Sequence, residues 1–287
     1  MSQAIVDGIL TGGLYAAFGI GLSLIYGVTR VISAVHGALI VLGAYLVFTW
    51  WSEWGIDPFL ALPALIVAGF IVGYTIQRVF INRVVRRNII MTITLTLGLD
   101  LMLVTAILVI WGAELRSVTV EYASAGIDVA GVRIAWVRVG IFVAAIALAL
   151  GLDHVLRRTE AGRRIRAVSQ DRTAAELIGL DTGHYYGMAH GFAAAVAVAA
   201  GAFVALIQPI QPFMAFPLLL IAFAVVVLAG FGSVAPVLVA GIVLGVTASV
   251  AGYLIGPEYQ RLSLFVMYLA VATLRPAGLF GQRYYAH

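Results

Sequence analysis

The chain has 287 residues, 63% of them hydrophobic and 10% charged, with a mean hydropathy of +1.07. Soluble domains carry about a quarter charged residues, so this composition excludes an ordinary globular domain. The formal charge of +4 rests on seventeen Arg with no Lys, which rules out a Walker-type phosphate loop, and the lack of Cys rules out disulfides, thiolate metal sites and Cys nucleophiles.

The N-terminus, Met1-Ser-Gln-Ala-Ile-Val-Asp7, has no positive n-region and reads as the start of a retained first span. Apolar runs near membrane-spanning length follow at roughly 5–28, 32–51, 58–78, 89–111, 136–154, 184–207, 214–232, 235–255 and 261–275. The fold expected is one all-α polytopic membrane domain over 1–287, with eight to ten crossings and a Gly/Pro-rich stretch at 208–236 able to hold broken helices. Small residues four apart at Gly8/Gly12, Gly69/Gly73, Gly187/Gly191 and Gly241/Gly245 read as ordinary tight helix packing.

His36 opens the second span beside Gly37, where a lone His is a hydrogen-bonding corner before it is a base; His190 in Gly187-Met-Ala-His-Gly191 reads the same way. No His pair shows a metal-binding spacing, so no metal is expected. Asp100 lies mid-span after Thr92, Thr94, Thr96 and Gly98. A carboxyl there is costly, which leaves a structural hydrogen-bonding role, a place in the solute path or gate, or a proton relay. The polar segment 112–135 alternates in Val118-Thr-Val-Glu-Tyr and in Ile127–Ile134, with Ala130-Gly131 able to turn, so a small β-hairpin is expected near 115–135. It serves as a lid over helix ends or as a surface met by an external binding protein.

The segment 156–181 is the one extended hydrophilic stretch, and it holds Arg157, Arg158, Arg163, Arg164, Arg166 and Arg172. Topology and anionic lipid account for Arg157 and Arg158. They do not account for Ala161-Gly162 or for Ala167, Ala174, Leu177 and Ile178, which fall at helical spacing as apolar stripes. Two short helices that dock into a groove are predicted, with Gly162 permitting a bend and Gly179 with Asp181 ending the second. Further on, Gln208-Pro-Ile-Gln-Pro212 is either a plain turn or an outer mouth where Gln208 and Gln211 offer amides to a polar solute.

Arginine asymmetry orients the chain. Thirteen of seventeen (Arg30, Arg78, Arg83, Arg86, Arg87, the six above, Arg275 and Arg283) fall on one side of the nine spans, predicted cytoplasmic; Arg116, Arg133, Arg138 and Arg261 fall on the other. With no nucleophile elbow and no close acidic pair in the spans, no catalytic residue is expected.

Four blocks resemble one family. Gly12-Gly-Leu-Tyr15 through Tyr26 to His36-Gly, then Leu42-Gly-Ala-Tyr45, look like the opening of branched-chain amino acid ABC transporter permeases. Glu160-Ala-Gly, Arg166-Ala-Val-Ser-Gln-Asp171, Ala174-Ala and Ile178-Gly resemble that family's ATPase-coupling loop. Gly230-Phe-Gly-Ser233 with Gly241 and Gly245, and Leu274-Arg-Pro-Ala-Gly-Leu-Phe-Gly281, match its late glycine-rich span and its C-terminal signature. The length and opening are similar to the shorter of the two permease subunits.

The resemblance implies a transport subunit in a bacterial cytoplasmic (inner) membrane. It implies a second permease as a heterodimer partner, two cytoplasmic ATP-binding subunits and an extracytoplasmic solute-binding protein. No cofactor is expected on this chain, ATP being held by the partners. Coupling is carried onto Glu160, Ala161, Gly162, Arg166, Gln170, Asp171, Ala174, Leu177 and Gly179, and the solute path or gate onto Tyr15, Tyr26, His36, Asp100, Gln208 and Gln211. Three departures bear on the solute: Ser33-Ala-Val-His36 replaces Asn-Phe/Ala-Ala-His, Ala235-Pro236 replaces a Gly-Ala pair, and Ala248 replaces a Glu. Related permeases are associated with urea, short amides and carboxylates. The alternative is a gradient-driven carrier or channel that uses Asp100 and His36 and needs no ATPase.

Overall fold

The structure is a computed structural model that describes residues 1–31, 33–84, 89–123, 125–129, 131–230, 234–275 and 278–279. Its helices are α1 (Ser2–Thr29), α2 (Val35–Trp54), α3 (Pro58–Ile76), α4 (Asn82–Val84), α5 (Ile89–Trp111), α6 (Trp136–Arg158), α7 (Glu160–Gln170), α8 (Arg172–Leu177), α9 (Thr182–Ile207), α10 (Ala215–Ala229), α11 (Val234–Leu254) and α12 (Tyr259–Leu274). A π-helical turn, Gln77–Ile81, joins α3 to α4. Among the described residues eight helical segments are long and apolar enough to cross a membrane, and α12 is a shorter apolar helix. The chain is a multi-pass membrane protein. Arg86, Arg87, Arg283, most of Gly230–Ser233 and part of Leu274–Gly281 lie outside the described residues.

Lipid tails are as apolar as Leu, so small residues that admit close backbone contact hold such a bundle together. The four glycine pairs mate two by two. A Cβ on Gly8 or Gly12 would meet the α11 backbone at 2.5–2.6 Å, and one on Gly241 would meet Ala16 of α1 at 2.6 Å. Gly69 and Gly73 of α3 sit against Ala194 and His190 of α9, while Gly187 and Gly191 of α9 leave room for Tyr74 and Phe70 of α3. The Ala-rich α9 is the central pillar, buried from Ala193 through Leu206 and packed on α1, α2 and α3. Gly43 and Gly201 let α2 approach it so closely that neither position admits a Cβ.

One end of the bundle carries the hairpin. Strands β1 (Gly126–Val129) and β2 (Val132–Ala135) pair antiparallel with Val129 opposite Val132, and Gly131 has φ +80° in the two-residue turn. The strands occupy only the later part of the expected segment, because Val118 and Val120 are buried in the core and Arg116 bridges instead to Ile210. The hairpin is moored to α1: Gln3 bonds the Arg133 backbone at 2.8 and 3.0 Å, and Asp7 pairs with Arg138 at 2.7 Å. The Tyr122 hydroxyl donates to Asp57 at 2.6 Å; burial first, and that carboxylate second, push its pKa above the ordinary phenol value.

Two helices begin inside the bundle, which the apolar runs do not reveal. The chain turns at Arg30 (φ 55°) and travels back along α1, so that His36, in the first turn of α2, donates from Nε2 to the Phe18 carbonyl at 2.9 Å. Phe18 is eleven residues, about 16 Å, from the Thr29 end of α1. Gly37 packs onto the Ala215 carbonyl, so α10 starts beside it after the non-helical 208–211 and a 3₁₀ turn at Pro212–Met214. Pro212 and Pro217 lack the N–H groups that the start of a helix leaves unpaired.

Candidate functional site

The path candidates separate into two groups. Asp100 and His36 converge on the buried start of α2. That helix has no capping side chain of its own. Asp100, reaching over from α5, comes close to the Ala38 backbone N–H and sets a carboxyl near the positive end of the helix dipole, with its Oδ1 buried and without a hydrogen-bond partner. The His36 ring is fully buried, and Gly21 leaves the space it occupies. Its contact to a carbonyl makes Nε2 the protonated nitrogen and leaves Nδ1 without a partner. Both residues therefore lie at the internal start of α2, each with one buried polar atom unpartnered. His190 is as deeply buried, with neither ring nitrogen bonded. Tyr26 lies lower on α1, where its carbonyl accepts from Arg30 at 2.8 Å.

Tyr15, Gln208 and Gln211 share one cavity of about 450 Å³ near the hairpin end. Its walls are Thr11, Leu14, Tyr15 and Phe18 of α1, the segment from Ile207 through Met214, and Pro217, Leu218 and Ile221 of α10. Gln260, Arg261, Leu264 and Phe265 of α12 complete it, with Leu115 at the side. Cavities of roughly 300–1,000 Å³ with a few polar groups on an apolar lining suit small molecules. Gln260 and Arg261 were missed by sequence reasoning. The signal available was a cation and an amide entering an apolar helix on the side poor in arginine. Which helix they face is a tertiary fact.

A second space lies at the other end of the bundle. There a cavity of about 380 Å³ lies between Ser23, Leu24, Gly27 and Val28 of α1, Asp153, Leu156 and Arg157 of α6, and Ile165, Arg166 and Ser169 of α7. At about 100° per residue, Thr11–Phe18 and Ser23–Val28 present opposite faces of α1. Leu14, Phe18 and Leu218, which line the upper cavity, are themselves buried.

At the arginine-rich end the 156–181 segment forms the two short helices expected. Thr159 caps α7 by accepting from the Gly162 N–H at 3.1 Å, and Asp171 caps α8 by accepting from Ala174 at 3.0 Å. Gly162 is helical and provides a close approach, since a Cβ would run into the last carbonyls of α6 at Val155 and Leu156. Ile165, Val168 and Ala175 face inward. Gly179, at φ +83°, ends α8, and Asp181 caps α9 through the His184 N–H at 3.0 Å.

The charges of this segment are largely engaged by neighbours. Glu160 pairs with Arg164, which also donates to the Tyr185 hydroxyl at 2.8 Å; Arg172 pairs with Glu176 at 3.1 Å and Arg157 with Asp153 at 2.8 Å. Arg78 of the π-helical turn pairs with Asp181 at 3.0 Å, and its hydrogen bond holds that carboxyl below the usual carboxylate range. Among the exposed arginines and carboxylates of this segment stand two aliphatic side chains, Leu177 at 84% and Ile178 at 75% exposure. Of the apolar stripe expected, Ala174, Leu177 and Ile178 face outward.

Comparison with known proteins follows this geometry. The family described as the permease component of branched-chain amino acid transport systems matches residues 4–272. The chain is 25% identical to the high-affinity branched-chain amino acid transport system permease protein BraD of Pseudomonas aeruginosa, over 98% of this chain and 95% of that one. It is 25% identical to the permease protein LivH of Escherichia coli over the same shares. A probable LivH of Methanocaldococcus jannaschii is 25% identical over 97% of this chain and 92% of its own. No solved structure matches the chain.

Proposed function

The chain belongs to the permease family of branched-chain amino acid transport systems, and from that premise we propose that it forms half the solute path of an ATP-driven importer in a bacterial cytoplasmic membrane. The hairpin end faces outward and receives solute from a binding protein. The arginine-rich end faces the cytoplasm, as the positive-inside bias requires. A second, similar permease closes the 450 Å³ cavity from the other side. Two ATP-binding subunits hold the nucleotide, this chain having no Lys for a phosphate loop. The solute is a branched-chain amino acid or a small polar relative, the substrate named for BraD and LivH.

The observation that carries this reading is the build of α7 and α8. A cytoplasmic segment of two capped short helices that presents Leu177 and Ile178 outward among its charges is shaped for a protein partner's groove. ATP-driven closure of the partners would push α7 against α6 and α1 through the packed Gly162, Ile165 and Val168. Glu160, Ala161, Arg166, Gln170, Asp171, Ala174 and Gly179 shape or border that surface. The gradient-driven alternative would run through Asp100 and His36, whose Oδ1 and Nδ1 are buried without partners, but the family match favours the ATP-driven reading.

The test is leucine uptake by proteoliposomes holding the complete transporter. The double variant Leu177→Glu, Ile178→Glu should lower uptake at least tenfold, with ATPase stimulation lost and the chain's thermal midpoint unchanged. Leucine movement by this chain alone under an ion gradient would overturn the reading.

A further inference from the structure

We infer that this chain recognises the carboxylate end of its solute with Arg261, aided by the amides of Gln208, Gln211 and Gln260 in the same cavity, and offers no carboxylate to an ammonium group. The inference rests on taking the upper cavity as the solute path. Among the described residues lining it, Arg261 is the one charged side chain and none is acidic. Other arginines at this end are spent elsewhere. Arg138 is paired with Asp7, and Arg116 donates to the Trp111 carbonyl at 2.8 Å while lying over the Phe48 ring. Arg133 has a partner of its own. Arg261 has no ion pair among the described residues, and its charge acts on the Tyr15 hydroxyl across the cavity.

The chemistry follows from the donor set. A guanidinium matches a carboxylate with two parallel N–H donors, and amide N–H groups on either side add to that anion site. The walls away from Arg261, such as Leu14, Phe18, Ile221 and Leu264, suit a short aliphatic tail. An ammonium entering this half meets a like charge and no carboxylate. If the solute is an amino acid, its amine is read by another chain; a small carboxylic acid with no amine satisfies this half equally well. An anionic lipid headgroup offers the same chemistry to an arginine near the membrane surface, so the test separates the two sources.

Because the chain has no Cys, Thr11→Cys puts a single thiol in the cavity wall. In the complete transporter, held in nanodiscs of neutral or of anionic lipid, its modification by a sulfonatoethyl and by a trimethylammonioethyl methanethiosulfonate is followed by the mass of this chain. Relative to a free thiol, the anionic reagent should be favoured about fivefold or more. The preference should vanish with Arg261→Gln and persist with Arg261→Lys. Isovalerate should slow the reaction, isovaleramide much less and isoamylamine not at all. Parity in the native chain, an unchanged ratio in Arg261→Gln, or equal protection by all three compounds would overturn the inference. A preference lost in anionic lipid alone would give Arg261 to a headgroup and overturn it as well. Leucine uptake after modification distinguishes the two layers. Blocked uptake without charge preference sinks the carboxylate site and keeps the path; charge preference with undiminished uptake does the reverse.

Discussion

The upper cavity and the α7–α8 pair use the same kinds of residue to opposite effect. In α7–α8 several charged groups are tied to neighbours, as in Glu160 with Arg164 and Arg172 with Glu176, and the aliphatic side chains of Leu177 and Ile178 stand out into solvent. In the cavity, aliphatic and aromatic groups make the wall, and an arginine and three amides are left without charged partners. A surface that pairs part of its charge and exposes hydrocarbon is built to be covered by protein. A concave one with hydrocarbon walls and unspent donors is built to be filled by a solute.

The strongest way to break the contrast is to remove what both regions share, which is α1. It lines both cavities and is held by Gly8 and Gly12 against Gly241 and Gly245. Gly12→Leu should cost on the order of 3 kcal/mol, the upper end for overpacking, and abolish accumulation of folded protein. Gly98→Ala and Gly151→Ala, where a Cβ meets nothing within 4 Å, should be neutral or slightly stabilising. Size-exclusion profiles and thermal midpoints in detergent check both. Equal loss in all three variants would mean that the seam has no special weight.

Next in size are changes that spoil one region and spare the other. Ile207→Trp puts an indole into the cavity from its wall. Leucine uptake should fall about tenfold, while the ATP-binding subunits still co-purify with the chain. The reciprocal change is Gly162→Leu. Its side chain would be forced against the Val155 and Leu156 carbonyls and would lift α7 away from α6. Uptake should be lost with ATP hydrolysis no longer stimulated by loaded binding protein, at a cost of about 1–3 kcal/mol in stability. Thiol chemistry at Thr11→Cys should be unchanged. Uptake at the native level in Gly162→Leu would disprove the coupling role of this contact.

The sequence made the two regions legible to different depths. The spans stood out because each is a long apolar run, and the caps and Gly179 of α7–α8 are local signals that hold regardless of what surrounds them. Glycine spacing announced close packing but not which pairs mate, since Gly8/Gly12 face Gly241/Gly245 across more than two hundred residues. Hydropathy cannot mark where a helix begins within a bundle, so the internal starts of α2 and α10 were invisible, and with them the reason for Asp100. Gln208 and Gln211 were found because two prolines break an apolar run around them. Arg261 stands in the first turn of α12, where a cation at the end of a span reads as topology, and only the packing of α12 beside α10 and α11 gives it a cavity.

The smallest effect concerns the tie between the π-helical turn after α3 and the start of α9. Asp181 is held below the ordinary carboxylate pKa first by the Arg78 hydrogen bond. A carboxyl with a lowered folded value contributes stability that is present above its unfolded value, near 4, and that fades as pH falls through the folded value. Both side chains are about half exposed, 45% for Arg78 and 56% for Asp181, so solvent screens the pair. A spin label on Thr173→Cys should report constant mobility from pH 7 to 5 and a growing mobile fraction below about pH 4. Arg78→Gln should show a similar mobile fraction already at pH 7, raised no more than about threefold over the native chain. If Arg78→Gln matches the native spectrum at every pH, the pair does not restrain α8, and the α6 contacts around Gly162 alone hold the coupling helices in place.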